Sequence, residues 1–181
     1  MRIEGYVILS ADGMLADAAN TMPDALKFDA DQDFFASSLD RVDLVVHGRN
    51  SFEDQPRSHL RTRLVLTRKI AALAPDPDNP KATLWNPAGA AFDDACSRAG
   101  VTSGTAAIIG GPDVFGMFMN RYDTFFLSQA HDVRIPGGIG GFPGVPRYSP
   151  QDILARNGLV ATETRVLDQA RKVDVTAWRR V

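Results

Sequence analysis

The sequence has little of what disulfide-bonded, metal-binding and nucleic-acid-binding proteins require. Its 181 residues contain one cysteine, Cys96, which excludes a framework of internal disulfide bonds. The three histidines, His47, His59 and His131, are scattered, and no pair has the spacing of metal ligands on one helix or hairpin. The 20 basic and 22 acidic side chains nearly balance, so the charge gives no reason to expect a nucleic-acid partner.

Long apolar runs are also absent. The N-terminal run contains Glu4 and ends in a polar turn at residues 10–13, too early for a signal peptide or a membrane span. We therefore expect a cytoplasmic protein that does not bind membranes. The G-x-S-x-G motif of many hydrolases is missing too. What remains is an ordinary globular composition, 44% hydrophobic and 23% charged, whose length suits one domain over residues 1–181.

Short apolar runs alternate with helical patterns through the first two thirds of the chain. Strand-like runs cover residues 3–10, 42–47, 63–67, 83–85, 105–109 and 124–130, and helical patterns cover residues 30–39 and 88–99. We interpret residues 14–26, 74–80 and 137–144 as loops, and residues 159–167 and 172–179 as an antiparallel pair. The pattern predicts an α/β fold with a mixed, mostly parallel central sheet, helices on both faces and a C-terminal antiparallel hairpin.

Residues 105–119 combine a buried strand, the pair Gly110-Gly111 and a helix that begins near Pro112 or Asp113. The first N–H groups of a helix have no partner inside the helix, so such a joint suits a phosphate, and glycine lets the ligand approach the main chain. A tight turn without a ligand would use the same residues, because proline and aspartate also favour helix starts.

Two other strands end in similar residues, Gly48-Arg49-Asn50-Ser51 and Thr67-Arg68. After the first of them we expect a helix that begins at Asn50 or Ser51, with Glu53 at the spacing of a capping box. Arg49 would lie beside the N–H groups of that helix, unless it is an ordinary solvated arginine. Because parallel strands end at one edge of a sheet, an extended phosphate-bearing ligand could contact all three joints. This convergence indicates a nucleotide cofactor.

Asp29 and Asp31 are the candidate acids of the site. Asp31 lies one helical turn before Phe35, so its carboxylate would share a face with the phenylalanines Phe34 and Phe35. An acid beside an apolar pocket can have a raised pKa and donate a proton. Either aspartate could instead be an N-cap or a first-turn acid that the helix dipole favours.

Taken in order, these residues resemble the dihydrofolate reductase-like superfamily over nearly the whole chain. The matching pieces are SADGMLA, a Met-Pro pair, an acid followed by two phenylalanines, DLVVHGRNSFE, RLVLTRK, IIGGPDVFGMFM, YDTFFLSQA and a late FPG. The turn at residues 10–13 with Met14-Leu15-Ala16 is more similar to the reductase domain of riboflavin biosynthesis than to dihydrofolate reductase itself. Asp24 stands where dihydrofolate reductases commonly have a tryptophan after Met-Pro.

The resemblance implies NADPH and hydride transfer to a pyrimidine- or pteridine-related substrate such as 5-amino-6-(5-phosphoribosylamino)uracil. Dihydrofolate reductase itself and a non-catalytic nucleotide-binding module are the alternatives. A homodimer and a cis peptide between Gly110 and Gly111 are implied as well.

The same resemblance assigns roles to residues of the predicted site. It implies that Asp31 is the acid if the helix is aligned through Phe34-Phe35, and Asp29 if the count starts at Met22-Pro23. Ser128 would support that acid, and Phe34 or Phe35 would line the substrate ring. Arg49 would face the 2′-phosphate of the cofactor. The implied cofactor contacts are Leu15, Ala16, Gly48, Arg49, Asn50, Ser51, Thr67, Arg68, Gly110, Gly111, Asp113, Val114 and Phe115.

Overall fold

The computed structural model describes residues 1–51 and 55–181. The strands are β1 Arg2–Ser10, β2 Met14–Ala16, β3 Leu44–Gly48, β4 Arg63–Leu66, β5 Leu73–Asp76, β6 Asn79–Trp85, β7 Thr105–Ile108, β8 Thr124–Ala130, β9 Ile139–Gly140, β10 Leu159–Asp168 and β11 Val173–Arg180. The helices are α1 Asp29–Leu39, α2 Phe92–Arg98, α3 Pro112–Met117 and α4 Pro150–Arg156, with 3-10 helices at Asp24–Leu26 and Ser58–Leu60. None of these helices is long and apolar enough to cross a membrane.

One large sheet organises the described residues. Its nine strands have the order β10-β11-β8-β1-β7-β3-β4-β6-β5, and β2 pairs separately with β9. Neighbouring strands from β8 through β6 run parallel, whereas β5, β11 and β10 are antiparallel to their neighbours. The predicted mixed, mostly parallel sheet with a C-terminal hairpin is therefore confirmed.

Side chains alternate across β1 and divide the core into two layers. Ile3, Val7 and Leu9 belong to the main apolar cluster, together with buried residues of α2, α3 and α4. Tyr6 lies on the opposite face, in a cluster that contains Leu39 of α1. Helices consequently cover both faces, as the apolar character of the parallel strands predicted.

The structure corrects the prediction that residues 74–80 form a loop. They belong to a hairpin in which β5 pairs with β6 and Pro75 lies opposite Thr83. Because β5 is an edge strand of the sheet, its outer side needs no hydrogen-bond donor, and proline is tolerated there. Proline content therefore indicated a loop where an edge strand exists.

Smaller corrections concern the helices. The second predicted helix begins at Phe92 rather than near residue 88, because the main chain of Asn86 accepts hydrogen bonds from Gly89 and Ala90 and forms a turn first. Helix α4 was not predicted, although Ser149 caps it by accepting a hydrogen bond from the N–H of Asp152 at 3.0 Å. A serine followed by proline at the first helical position is a known start signal, and it could have revealed this helix.

Candidate active site

Backbone hydrogen bonding joins the turns that follow β3 and β7. The N–H of Gly48 donates to the carbonyl oxygen of Gly110 at 2.7 Å. The peptide bond between Gly110 and Gly111 is cis, which confirms the expectation from the resemblance. A Cβ atom on Gly111 would lie 3.2 Å from Oγ of Ser51, so the last residue of the turn after β3 also faces Gly111. Two of the three predicted joints thus form one continuous surface.

The turn after β3 differs in part from the prediction. The N–H of Ser51 donates to the carbonyl of Gly48 at 3.1 Å and closes a turn over Arg49 and Asn50, both of which are exposed. No α-helix begins at Asn50 or Ser51 within the described residues, which continue after residue 54 with turns and the 3-10 helix Ser58–Leu60. The predicted capping contact of Glu53 lies outside the described residues.

Helix α3 starts immediately after the cis peptide. Gly111 is its N-cap residue, no side chain caps it, and Pro112 occupies its first turn. The N–H groups of Asp113 and Val114 therefore have no partner within the helix. The side chain of Phe115 is fully enclosed, and a Cβ atom on Gly110 would meet its ring at 2.9 Å. Phe115 thus supports Gly110 from the core, and its side chain does not line ligand space.

The third joint brings cationic side chains to the same edge. Thr67 is buried, and its hydroxyl accepts the N–H of Lys69 at 3.1 Å, which leaves Arg68 exposed on the turn after β4. Strand β4 is the neighbour of β3, so Arg68 and Arg49 follow adjacent strands. Among residues 1–51 and 55–181, no salt bridge engages either arginine. Two guanidinium groups are therefore available to an anion at this edge.

Asp31 is the aspartate that faces the sheet. It lies in the first turn of α1, is 8% exposed, and forms a hydrogen bond with Ser128 of β8. Burial raises the pKa of Asp31 to about 6, although the hydrogen bond from Ser128 acts in the opposite direction. Asp29 is exposed, and Phe28 is the N-cap residue, so neither aspartate caps the helix. The structure brings Asp31, and not Asp29, to Ser128.

The acid and the glycine turns lie at the same end of the sheet. Ser128 is paired with Ile8 of β1, and β7, which leads to Gly110, lies on the other side of β1. Two strand spacings, roughly 10 Å, therefore separate Ser128 from the Gly110-Gly111 turn across the sheet. This distance suits one ligand that contacts the glycine turns and a second that contacts Asp31.

Comparison with known proteins identifies the fold. No protein-family model matches the chain, and no curated protein matches its sequence. Solved structures do match, among them a dihydrofolate reductase from Enterococcus faecalis complexed with NADP(H), with a TM-score of 0.67 and 18% identity over 99% of this chain and 96% of that one. The chain has the dihydrofolate reductase-like fold.

Two further structures support this fold. A protein from Shewanella sp. PV-4 that is assigned to riboflavin biosynthesis has a TM-score of 0.68 and 19% identity, and the match covers 100% of this chain and 99% of that one. A diaminohydroxyphosphoribosylaminopyrimidine deaminase/5-amino-6-(5-phosphoribosylamino)uracil reductase from Thermotoga maritima has a TM-score of 0.69 and 12% identity. That match covers 99% of this chain and 56% of the longer protein.

Within the dihydrofolate reductase-like fold, the two phenylalanines of α1 lie beyond the acid rather than around it. The ring of Phe34 is 5.9 Å from that of Phe126 and 5.0 Å from the guanidinium carbon of Arg165, on the side of the C-terminal hairpin. The ring of Phe35 lies 6.5 Å from that of Tyr6. Phe126 pairs with Tyr6, and it lies two residues before Ser128 on the same strand, nearer the amino ends of the strands. Phe34 therefore contacts a different surface from the one predicted.

The predicted contacts at Leu15 and Ala16 lie on the small second sheet. Ala16 is buried and pairs with Ile139 of β9, while Leu15 is half-buried and packs against the main core. The carboxylate of Asp12, just before β2, accepts a hydrogen bond from the N–H of Ile135 at 3.1 Å, which connects β2 to the segment that leads into β9.

A metal site has no support in the described part of the chain, where no cluster of three or more candidate ligands occurs.

Proposed function

We propose that this protein is an NADPH-dependent reductase that transfers hydride to a pyrimidine- or pteridine-related substrate such as 5-amino-6-(5-phosphoribosylamino)uracil. One observation carries the proposal: the paired turns at Gly48 and Gly110 lie at the same sheet edge as the buried acid Asp31. Among the similar structures, the Enterococcus protein is complexed with NADP(H) and the Thermotoga protein includes this uracil reductase in its name.

The residues at the paired turns fit the phosphates of a dinucleotide. Gly111 has no side chain where a Cβ atom would crowd Ser51, so the main chain is open to a ligand. The uncapped N–H group of Asp113 and the exposed guanidinium groups of Arg49 and Arg68 are donors that phosphate oxygens accept. These residues would hold the cofactor, and Arg49 would contact its 2′-phosphate.

The protein's own contribution to the reaction centres on Asp31. NADPH, when bound, supplies the hydride. With a pKa of about 6, the carboxyl of Asp31 can hold a proton close to neutral pH, where an ordinary aspartate cannot. The hydrogen bond from Ser128 would orient that carboxyl toward the substrate. The homodimer and the cytoplasmic location expected from the sequence stay predictions.

The proposal is tested by calorimetry with NADPH and NADH on the wild type and two arginine variants. Arg49→Ala should weaken NADPH by about 10- to 100-fold, or roughly 1.5–3 kcal/mol, and leave NADH nearly unchanged, because only NADPH carries the 2′-phosphate. Arg165→Ala is the matched control, since Arg165 lies over Phe34 on the hairpin side and should leave both affinities unchanged.

Each departure from this result has a separate meaning. Equal losses for both cofactors in Arg49→Ala would remove Arg49 from the 2′-phosphate. A wild type that binds neither cofactor would refute the reductase proposal. Absorbance at the nicotinamide band then tests turnover with pterins, folates and ribosylaminopyrimidines. Binding without oxidation in every case would instead support a nucleotide-binding module.

A further inference from the structure

His47 is a buried titratable residue that the proposed chemistry does not use. It is the penultimate residue of β3, it is 4% exposed, and it immediately precedes the Gly48 turn. Its backbone partner across the sheet is Val65, and the preceding residues Val45 and Val46 are apolar core residues. An apolar side chain would be the ordinary choice at such a position.

Within the described part of the chain, the ring of His47 makes one hydrogen bond, and its partner is Gly48, the first residue of the turn at residues 48–51. Nδ1 lies 2.9 Å from the carbonyl oxygen of Gly48. Because a carbonyl oxygen can only accept, Nδ1 carries the proton in this contact. Burial lowers the pKa of His47, so the ring is neutral near pH 7. Nε2 is then an acceptor, and it has no hydrogen-bond partner in the described residues.

Gly48 is the residue through which the two glycine turns are connected. Its carbonyl also accepts the N–H of Ser51 at 3.1 Å, and its own N–H donates to Gly110 at 2.7 Å. The imidazole of His47 therefore occupies the remaining lone pair of that carbonyl. The N–H and the carbonyl group of Gly48, which belong to the two peptide units on either side of its Cα, thus make three hydrogen bonds between them.

We propose that His47 is a positioning residue, whose Nδ1–H group orients the Gly48 carbonyl and so holds the turn at residues 48–51 ready for the cofactor. The inference rests on the proposed function. The physical basis is the stability cost of this histidine. Its buried Nε2 acceptor has no hydrogen-bond partner in the described residues, which lowers the stability of the fold, and a leucine would avoid that cost. The contact that histidine makes and leucine cannot make is the hydrogen bond to Gly48. A local loss of stability with a directed contact is typical of a functional position.

Two substitutions at His47 separate positioning from packing. His47→Leu removes both ring nitrogens and keeps an apolar volume, whereas the side-chain amide of His47→Asn can still donate to the Gly48 carbonyl. We expect His47→Leu to bind NADPH roughly three- to tenfold more weakly than the wild type while its melting temperature stays equal or rises. His47→Asn should bind within about twofold of the wild type, because the donor is restored. His131→Leu is the control, since the exposed His131 contacts Asp174 and lies away from the turn.

A second measurement does not depend on the cofactor. In nuclear magnetic resonance of the free protein, the amide proton of Ser51 should exchange faster in His47→Leu than in the wild type or in His47→Asn. Long-range proton–nitrogen spectra should show His47 as the Nδ1-protonated tautomer.

The outcomes distinguish this inference from the proposed function. Unchanged NADPH affinity in His47→Leu, or equal losses in the leucine and asparagine variants that follow their melting temperatures, would overturn the positioning role. A wild type that binds no NADPH would refute the proposed function, and Ser51 exchange would still decide whether His47 holds the turn. Equal exchange in all three proteins would refute that as well.

Discussion

Asp31→Asn should make the protein more stable at neutral pH and at the same time impair its activity. Burial raises the pKa of Asp31 from 3.8 to about 6. Since one pKa unit corresponds to about 1.4 kcal/mol, the ionised carboxylate costs the folded state about 3 kcal/mol relative to the unfolded chain. Asparagine carries no charge and can still accept the hydrogen bond of Ser128, so it avoids this cost.

The sign of the pH dependence follows from the raised value. Below pH 3.8 the carboxyl of Asp31 is protonated in the folded and the unfolded state, and the wild type has its full stability there. As pH rises from 3.8 to about 6, the unfolded chain ionises first, and the free energy of unfolding of the wild type therefore falls. The stability difference between Asp31→Asn and the wild type should therefore grow between pH 4 and 6 and stay at about 3 kcal/mol above pH 6. Urea denaturation at pH 4, 5, 6 and 8 measures it.

The activity of the same variant gives the second half of the test. If Asp31 holds the proton that the substrate needs, Asp31→Asn should lower kcat by about 100-fold or more at every pH, since general acid groups contribute factors of this order. Asp29→Asn is the matched control: Asp29 is exposed in the same helical turn, so its replacement should change stability by less than about 0.5 kcal/mol and leave kcat intact. A stability difference that is flat with pH, or full activity in Asp31→Asn, would refute the reasoning.

Three further predictions concern the surroundings of the site. Ser128→Ala removes the hydrogen bond that lowers the pKa of Asp31, so the pH at which the rate changes should move upward in a pH–rate profile, and an unmoved profile would mean that Ser128 does not act on the acid. Gly110→Ala should lower the free energy of unfolding more than Gly100→Ala, because both have positive φ, +108° and +78°, but only the first Cβ would meet a ring; equal losses in denaturation would contradict the contact with Phe115. Arg68→Ala should weaken NADPH and NADH by similar factors of roughly 3 to 10 in calorimetry if Arg68 contacts a phosphate that both share, whereas a loss limited to NADPH would assign it to the 2′-phosphate.

The sequence predicted the sheet well because most of its strands are central. Strand β8 coincides with the predicted run at residues 124–130, where apolar side chains are required on both faces. Strand β5 was missed because an edge strand has no such requirement and tolerates Pro75. Helix α4 was missed because its buried residues, Pro150, Ile153 and Leu154, are too few for a recognisable period.

The acid of the site was less predictable than the strands. Asp29 and Asp31 both lie in the first turn of α1, and the helix dipole favours both equally. The four-residue spacing from Asp31 to Phe35 and Leu39 pointed to the buried aspartate, and the packing of Leu39 fixes that rotation in the structure. The sequence suggested a raised pKa for an acid beside apolar residues, but not its size, because the shift depends on how completely the folded protein buries Asp31.

The antiparallel strands at the two ends of the sheet also affect how copies of the protein meet. An open sheet exposes unpaired main-chain groups at each edge, and another chain can add a strand there and start aggregation. On one edge, β5 carries Pro75, which offers no N–H group for such pairing. On the other edge, β10 is interrupted by register shifts near Ala161 and Val166 and carries the charged side chains of Glu163 and Arg165. Both edges thus carry features that disfavour the addition of a strand from another copy of the protein.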